Sequence, residues 1–252
     1  MIEIIKNYAL DYGYGVATTL ILAVVGTVGG FLLGILLGVG RTLKVSPNDS
    51  KFISLLKRAI NYICNIYIWV FRGTPMMIQG MIFFLALPVD WVGGFGDHVI
   101  FNGYLLCGSL VIVLNTAAYI GEIIRGGIES IDKGQGEAAR SLGMTYSQSL
   151  IRVVLPQAIK NSIPAIGNEF IVNIKDSSVL NVIGLTELFG FNKTIISNSA
   201  DAISCYVIVA IIYLTLTLIF TIIFKMIERK LGGKKVFKLN IFKHTKCYAE
   251  ED

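Results

Sequence analysis

The sequence predicts an all-α membrane protein with five transmembrane helices, an external amino terminus and a cytoplasmic carboxyl terminus. Of its 252 residues, 54% are hydrophobic and only 15% are charged. Residues 12–40, 99–121 and 202–224 contain no Asp, Glu, Lys or Arg, and 59–89 contains only Arg72. Because an apolar run of about 20 residues spans a bilayer as a helix, these four runs predict four spans.

A fifth span is predicted near residues 161–186, which are apolar although they include Glu169, Lys175 and Asp176. The chain is therefore expected to hold one transmembrane domain at 14–230, preceded by an external segment at 1–13. The spans are placed at about 14–40, 59–87, 103–124, 161–180 and 202–227.

The basic residues predict the orientation of these spans. Most of the 22 Lys and Arg residues fall in three segments, 41–58, 125–160 and 225–246. By the positive-inside tendency these segments face the cytoplasm, and 231–252 is a basic cytoplasmic tail. The net charge of +5 then reflects topology. No pattern of basic and aromatic residues indicates nucleic-acid binding, and lipid is the expected surrounding.

The first span carries Gly30, Gly34 and Gly38 at intervals of four residues. Small residues at this interval allow helices to pack closely in lipid. A span that merely tolerates glycine is the alternative.

The second span contains Phe71-Arg72-Gly73-Thr74-Pro75, followed by Gln79. A guanidinium group is costly in lipid, and proline interrupts a helix. We therefore expect a break in the helix here, with its polar groups facing protein or water.

Two further spans carry polar residues at i, i+4 and i+7, a spacing that places them on one helical face. These stripes are Asn115, Tyr119 and Glu122, and Glu169, Asn173 and Asp176, with Asn168 and Ser177 beside the second. Together they are expected to enclose a wet cavity. The alternative is a set of structural interhelical hydrogen bonds with a Lys175–Asp176 charge pair.

The hydrophilic segment 133–156 lies between two predicted spans. Its Glu137–Leu142 stretch favours a short helix, and Gly143 stands where a left-handed cap would end it. Ala138 and Ala139 are small enough for another protein to approach the backbone, and Pro156 is expected to stop this helix running into the next span. The alternative is an ordinary solvated loop helix.

The sequence lacks the motifs of several kinds of site. It has no GxxxxGK[ST] phosphate loop, so we expect no ATP hydrolysis by this chain and no bound cofactor. It also lacks a nucleophile elbow, a HExxH pair and any metal-spaced cluster. Its four cysteines are expected to be free thiols.

Several motifs, in this order, resemble the permease subunit of polar amino acid ATP-binding-cassette (ABC) importers. They are Phe71-Arg72-Gly73-Thr74-Pro75 with Gln79, Ala117-Ala118-Tyr119 with Glu122, Arg125-Gly126-Gly127-Ile128, the 133–143 run, Leu155-Pro156-Gln157-Ala158, Ile163-Pro164 and Lys175-Asp176-Ser177-Ser178. The resemblance implies a five-helix type I importer permease fold in a bacterial plasma membrane.

The resemblance also implies partners. They are a second permease subunit, identical or paralogous, two ATPase subunits that hold the ATP and Mg, and an external amino acid-binding protein. The residues it implies for ATPase coupling are Gly134, Glu137, Ala138, Ala139, Gly143, Leu155 and Pro156.

Charge matching suggests how an amino acid would be held. Glu169 or Asp176 would receive its ammonium group, while Arg72, Asn168 or the helix that starts after Pro75 would receive its carboxylate. The expected substrate and translocation residues are Arg72, Thr74, Gln79, Asn115, Tyr119, Glu122, Asn168, Glu169, Asn173, Asp176 and Ser177. A receptor-like membrane scaffold and an ion-driven carrier are the alternative functions.

Overall fold

The computed structural model is helical wherever it has regular structure, and it describes residues 1–45, 49–87 and 103–230. The segment 88–102, which follows the second predicted span, and the predicted tail at 231–252 lie outside the described residues.

The helices follow one another closely along the chain. In order they are α1 (Ile2–Asn7), α2 (Ala9–Thr42), α3 (Lys51–Gly73), α4 (Met76–Ala86), α5 (Gly103–Glu129), α6 (Lys133–Ser141) and α7 (Tyr146–Ser149), then a π-helical turn (Leu150–Val154), α8 (Leu155–Asp176), a 3₁₀ segment (Ser177–Ile183), α9 (Leu188–Ser199) and α10 (Ala202–Lys230).

Helices α2 and α5 form the centre of the fold, and glycines bring them together. A Cβ atom added to Gly30, Gly34 or Gly38 would lie within 2.8 Å of a side-chain atom of α5. Real Cβ atoms do not approach this closely, so the prediction of a glycine packing face on the first span is confirmed. Helix α8 packs against both of these helices.

A Gly34→Ala substitution is expected to destabilise this helix pair. The new methyl carbon would lie 2.7 Å from Cγ2 of Ile120 and 3.1 Å from the backbone nitrogen of Gly121, so the helices must separate. Overpacking of this kind costs about 1–3 kcal/mol. Thermal unfolding of the detergent-solubilised protein measures the effect.

The matched control is Gly13→Ala on the same helix, where an added Cβ has no atom within 4 Å. Equal melting temperatures for the two variants would show that the α2–α5 contact does not limit stability.

Three of the described helices are long and apolar enough to cross a membrane, and these are α2, α5 and α10. Two bent pairs raise the number of spans to as many as five. Helices α3 and α4 meet at 109°, and the helical run 146–183 meets α9 at 57°. The break predicted near Pro75 is therefore present, and the bend accounts for the polar residues found there.

The helix predicted over 137–142 does not run into the next span, but Gly143 rather than Pro156 ends it. Pro156 lies inside a second helical run that starts at Tyr146, so the role predicted for it was wrong. The backbone remains right-handed helical at Ser149, Leu150, Val154 and Leu155, and Pro156 lies in the first turn of α8. A proline is tolerated in a first turn, where an amide hydrogen has no helical partner. The wider π-helical turn before it brings the chain into α8 without an interruption.

Helix α10 is largely uncovered by the rest of the described chain. In an apolar stretch of 18 residues in α10, only 11% is buried, against 61% in the corresponding stretch of α5. Its exposed side chains include Ile211, Leu214 and Leu218, which suit contact with lipid tails.

Candidate functional site

The break between α3 and α4 is closed by amide side chains. Gln79 Nε2 donates to the carbonyl oxygens of Phe71, at 2.9 Å, and Thr74, at 3.0 Å. Asn115 Nδ2 on α5 donates to Gln79 Oε1 at 2.9 Å. Carbonyls at a helix end have lost their helical partners, and these amides replace them. The expectation that Gln79 and Asn115 contact substrate stays a prediction.

An open cleft of about 630 Å³ lies beside this break. Helices α2, α3 and α5 form its walls. Its lining residues are Arg41, Asn65, Ile66, Ile68, Trp69, Arg72, Gly73, Tyr119 and Glu122. The cleft is thus partly polar although it lies between predicted spans.

Glu122 is the centre of an ionic cluster in the cleft wall. Arg41 at the end of α2 donates to Oε2 of Glu122, and Arg125 Nε donates to Oε1 at 3.0 Å. Arg72 Nη1 lies 3.7 Å from Oε2. One carboxylate on α5 therefore attracts cations from α2, α3 and its own helix.

Arg72 differs from the other two arginines. Its side chain is 42% exposed, and its guanidinium carbon lies 5.3 Å from the centre of the Tyr119 ring. Arg41 and Arg125 donate hydrogen bonds to Asn65 and Glu129, respectively. No hydrogen bond from Arg72 is found among the described residues, so its donors are available to a ligand in the cleft.

The second predicted stripe is divided in the structure. Asn173 is buried between helices, where it accepts from Thr116 Oγ1 at 3.0 Å and donates to Thr27 Oγ1 at 3.1 Å. Ser177 is also buried, and its hydroxyl donates to the Ile174 carbonyl. These contacts fit the alternative interpretation of the stripe, in which its polar side chains make structural hydrogen bonds.

The acidic members of that stripe remain accessible. Glu169 and Asp176 are partly buried, whereas Asn168 and Lys175 are exposed. No ion pair within 4 Å joins Lys175 and Asp176 in the described part of the chain. Glu169 makes no ion pair within 4 Å in that part of the chain either. Glu169 is thus an acidic side chain that is neither fully buried nor neutralised by a described cation.

Helix α6 lies in the hydrophilic segment and has well-defined ends. It begins earlier than predicted because Asp132 Oδ1 accepts from the Gly134 amide at 2.7 Å. At its other end Gly143 has φ +87°. The amides of Gly143 and Met144 donate to the carbonyls of Arg140 and Ala139. This pattern is a Schellman cap, and it confirms the left-handed conformation predicted for Gly143.

One face of α6 packs against the rest of the described chain, and the opposite face, the free face, is exposed. Ala139 is 5% exposed, and the Ser149 hydroxyl donates to the Gly136 carbonyl. Glu137 and Ala138 are exposed, and Leu142 is 83% exposed. Only Ala138 of the two small residues therefore lies on the free face. Near the following helix, Leu155 is partly buried and Pro156 is exposed.

Glu187 is a structural residue that the sequence patterns did not indicate. Its side chain is fully buried and caps α9 by accepting from the amides of Phe189 and Gly190. Tyr213 and Thr19 also donate to it, at 2.7 and 3.3 Å. The sequence carries only a weak signal for this role, because Asp, Asn, Ser and Thr, rather than Glu, are the side chains that usually cap a helix.

The family model that describes a binding-protein-dependent transport system inner membrane component matches residues 52–233 of this chain. Among curated relatives, the glutamine transport system permease protein of Escherichia coli (strain K12) is 34% identical over 86% of this chain and 91% of its own length. The arginine transport system permease protein of Bacillus subtilis (strain 168) is 38% identical over 86% and 90%, respectively.

Solved structures give the same result for the fold. A crystal structure of an amino acid ABC transporter with histidines contains a chain that is 33% identical, with a TM-score of 0.72 over 90% of this chain and 96% of that one. An inward-facing structure of the MetNI methionine ABC transporter also reaches a TM-score of 0.72, at 19% identity, over 90% and 98%.

Proposed function

We propose that this chain takes a polar amino acid from an external binding protein, because it belongs to the family of binding-protein-dependent transport system inner membrane components. It is a multi-pass permease subunit of an amino acid ABC importer in the bacterial plasma membrane. A second permease subunit, together with this chain, encloses the route of the amino acid through the membrane. A pair of separate ATPase subunits, holding ATP and Mg, drives transport through the 133–156 segment. The relatives are transport permeases, which argues against a receptor-like scaffold and an ion-driven carrier.

The free face of α6 is the observation that carries this proposal. The exposed Ala138 leaves the backbone of α6 open to close approach by another protein, and Leu142 adds an exposed apolar side chain beside it. Asp132 caps one end of the helix and Gly143 the other. A capped helix with a free face can transmit a displacement to the helices behind it. We assign the ATPase subunits to this face.

The test is reconstitution of the complete importer in lipid vesicles, with the binding protein outside and ATP inside. Uptake of labelled glutamine, arginine, histidine and cystine is then measured with and without ATP. ATP-dependent uptake that requires the binding protein is the expected result. Uptake driven by a proton or sodium gradient without ATP would refute the proposal.

The cleft chemistry supports an amino acid as the transported solute. A zwitterion needs a cation for its carboxylate and an anion for its ammonium group. Arg72 lines the cleft and donates no hydrogen bond to another described residue, and Glu169 on α8 is partly buried without a described ion pair. We assign the carboxylate of the solute to Arg72 and its ammonium group to Glu169.

A Glu169→Gln substitution is therefore expected to reduce uptake by about ten-fold, because a charge-assisted hydrogen bond is worth about 1.5–3 kcal/mol. The reduction should be measured as initial uptake rate against substrate concentration, with assembly checked by gel filtration. Glu228→Gln is the control, since Glu228 is also partly buried but lies at the end of α10. Wild-type uptake by the Glu169 variant would remove this residue from the site.

A further inference from the structure

A chain of contacts joins the hydrophilic segment to the cleft. The hydroxyl of Tyr146 on α7 donates to the backbone carbonyl of Thr42, the last residue of α2, at 3.0 Å. Thr42 directly follows Arg41, whose guanidinium donates to Glu122 and, at 2.7 Å, to Asn65 on α3. The end of α2 is thus attached to α7 on one side and to the cleft on the other.

The same cluster reaches the break between α3 and α4. Glu122 attracts Arg72, which lies one residue before the end of α3 at Gly73. Asn61 on α3 donates to the Arg41 carbonyl at 2.6 Å and accepts from Asn65 at 2.8 Å. Side chains of α3 therefore hold both the backbone and the guanidinium of Arg41.

We propose that Tyr146 and Arg41 are positioning residues that link movement of the 133–156 segment to the Arg72 side of the cleft. The link runs from the Tyr146 hydroxyl through the end of α2 to the Arg41–Glu122–Arg72 cluster. This inference rests on the proposed function, since it requires an ATPase to move the segment. Neither residue touches the transported solute in this role.

Two physical features suit these contacts to such a role. The hydrogen bond from Tyr146 ends on a backbone carbonyl, so a displacement of α7 pulls on the helix itself rather than on a mobile side chain. The cluster has more cations than Glu122 can bind equally well, because Arg41 donates to it directly whereas Arg72 lies 3.7 Å away. A shift of Arg41 changes how strongly Glu122 holds Arg72.

The test uses the complete importer in lipid vesicles and measures the ratio of ATP hydrolysis with and without substrate-loaded binding protein. Tyr146→Phe removes only the hydroxyl group and is expected to lower this ratio about five-fold, as loss of one hydrogen bond of about 1 kcal/mol would. Arg41→Gln is expected to lower it by at least as much, and Arg41→Lys, which keeps the charge, should restore part of it. Tyr62→Phe is the control because Tyr62 is an exposed tyrosine on α3.

The double variant Tyr146→Phe/Arg41→Gln separates a link from two unrelated effects. Two residues in one link give a double variant that loses no more than the worse single variant, whereas independent residues give losses that multiply. Wild-type ratios in the Tyr146→Phe variant, or multiplying losses, would overturn the link. If the wild-type complex itself shows no stimulation by substrate, the proposed function fails and the link with it.

Discussion

A Gly143→Pro substitution is expected to reduce amino acid uptake by the assembled importer more than ten-fold, roughly the effect of losing both a cap and its hydrogen bond. Proline fixes φ near −65°, whereas Gly143 has φ +87°. Proline also lacks the amide hydrogen that donates to the Arg140 carbonyl at 2.9 Å. The end of α6 would therefore unwind, and Leu142 beside it would leave its position. Uptake of labelled amino acid by vesicles measures the loss.

Gly143→Ala and Gly126→Ala form a matched pair for this prediction. An added Cβ meets no atom within 4 Å at either position, and only Gly143 has a positive φ. The alanine at 143 is therefore expected to show the conformational cost alone, about 1–2 kcal/mol, while the alanine at 126 should transport normally. Normal uptake by the Gly143→Pro complex would mean that α6 does not transmit force.

A Glu187→Ala substitution is expected to cause the largest loss of stability in the chain. It would leave the Tyr213 hydroxyl and the amides of Phe189 and Gly190, which surround the fully buried Glu187 side chain, without their acceptor. One buried unsatisfied donor costs about 1–3 kcal/mol, so the total is expected to be about 3 kcal/mol or more. The midpoint of thermal unfolding in detergent should fall accordingly.

Glu3→Ala is the control for this loss, because Glu3 is exposed on the short helix α1. The Glu187→Gln variant keeps one acceptor oxygen, and its melting temperature should lie between those of the wild type and the alanine variant. A Glu187→Ala protein with the wild-type melting temperature would show that these hydrogen bonds contribute nothing net to stability.

The sequence predicted features that depend on local backbone chemistry. The glycine interval at 30, 34 and 38, the break near Pro75 and the left-handed Gly143 all follow from the conformational limits of glycine and proline. Each is present in the structure. The prediction for Pro156 failed because the effect of a proline depends on its position within a helix. A π-helical turn leaves no clear signal in the sequence.

The partners of the polar residues were harder to predict than their faces. Asn173 and Asp176 have the spacing of one stripe, but Asn173 is bound by Thr116 and Thr27 from two other helices. Whether a side chain of a polar stripe forms hydrogen bonds with another helix depends on contacts between residues far apart in sequence. The Glu122 cluster shows the same limit, since Arg41 comes from 81 residues away.

The 109° angle between α3 and α4 determines what this part of the chain can enclose. At 1.5 Å per residue, the 23 residues of α3 are about 35 Å long, somewhat more than the thickness of a bilayer's hydrocarbon layer, which is about 30 Å. The 11 residues of α4, about 17 Å, add no height because they turn slightly back. A hydropathy plot treats 59–87 as one upright rod, but its second part runs crosswise and can serve as a ceiling or floor over whatever passes beside α3.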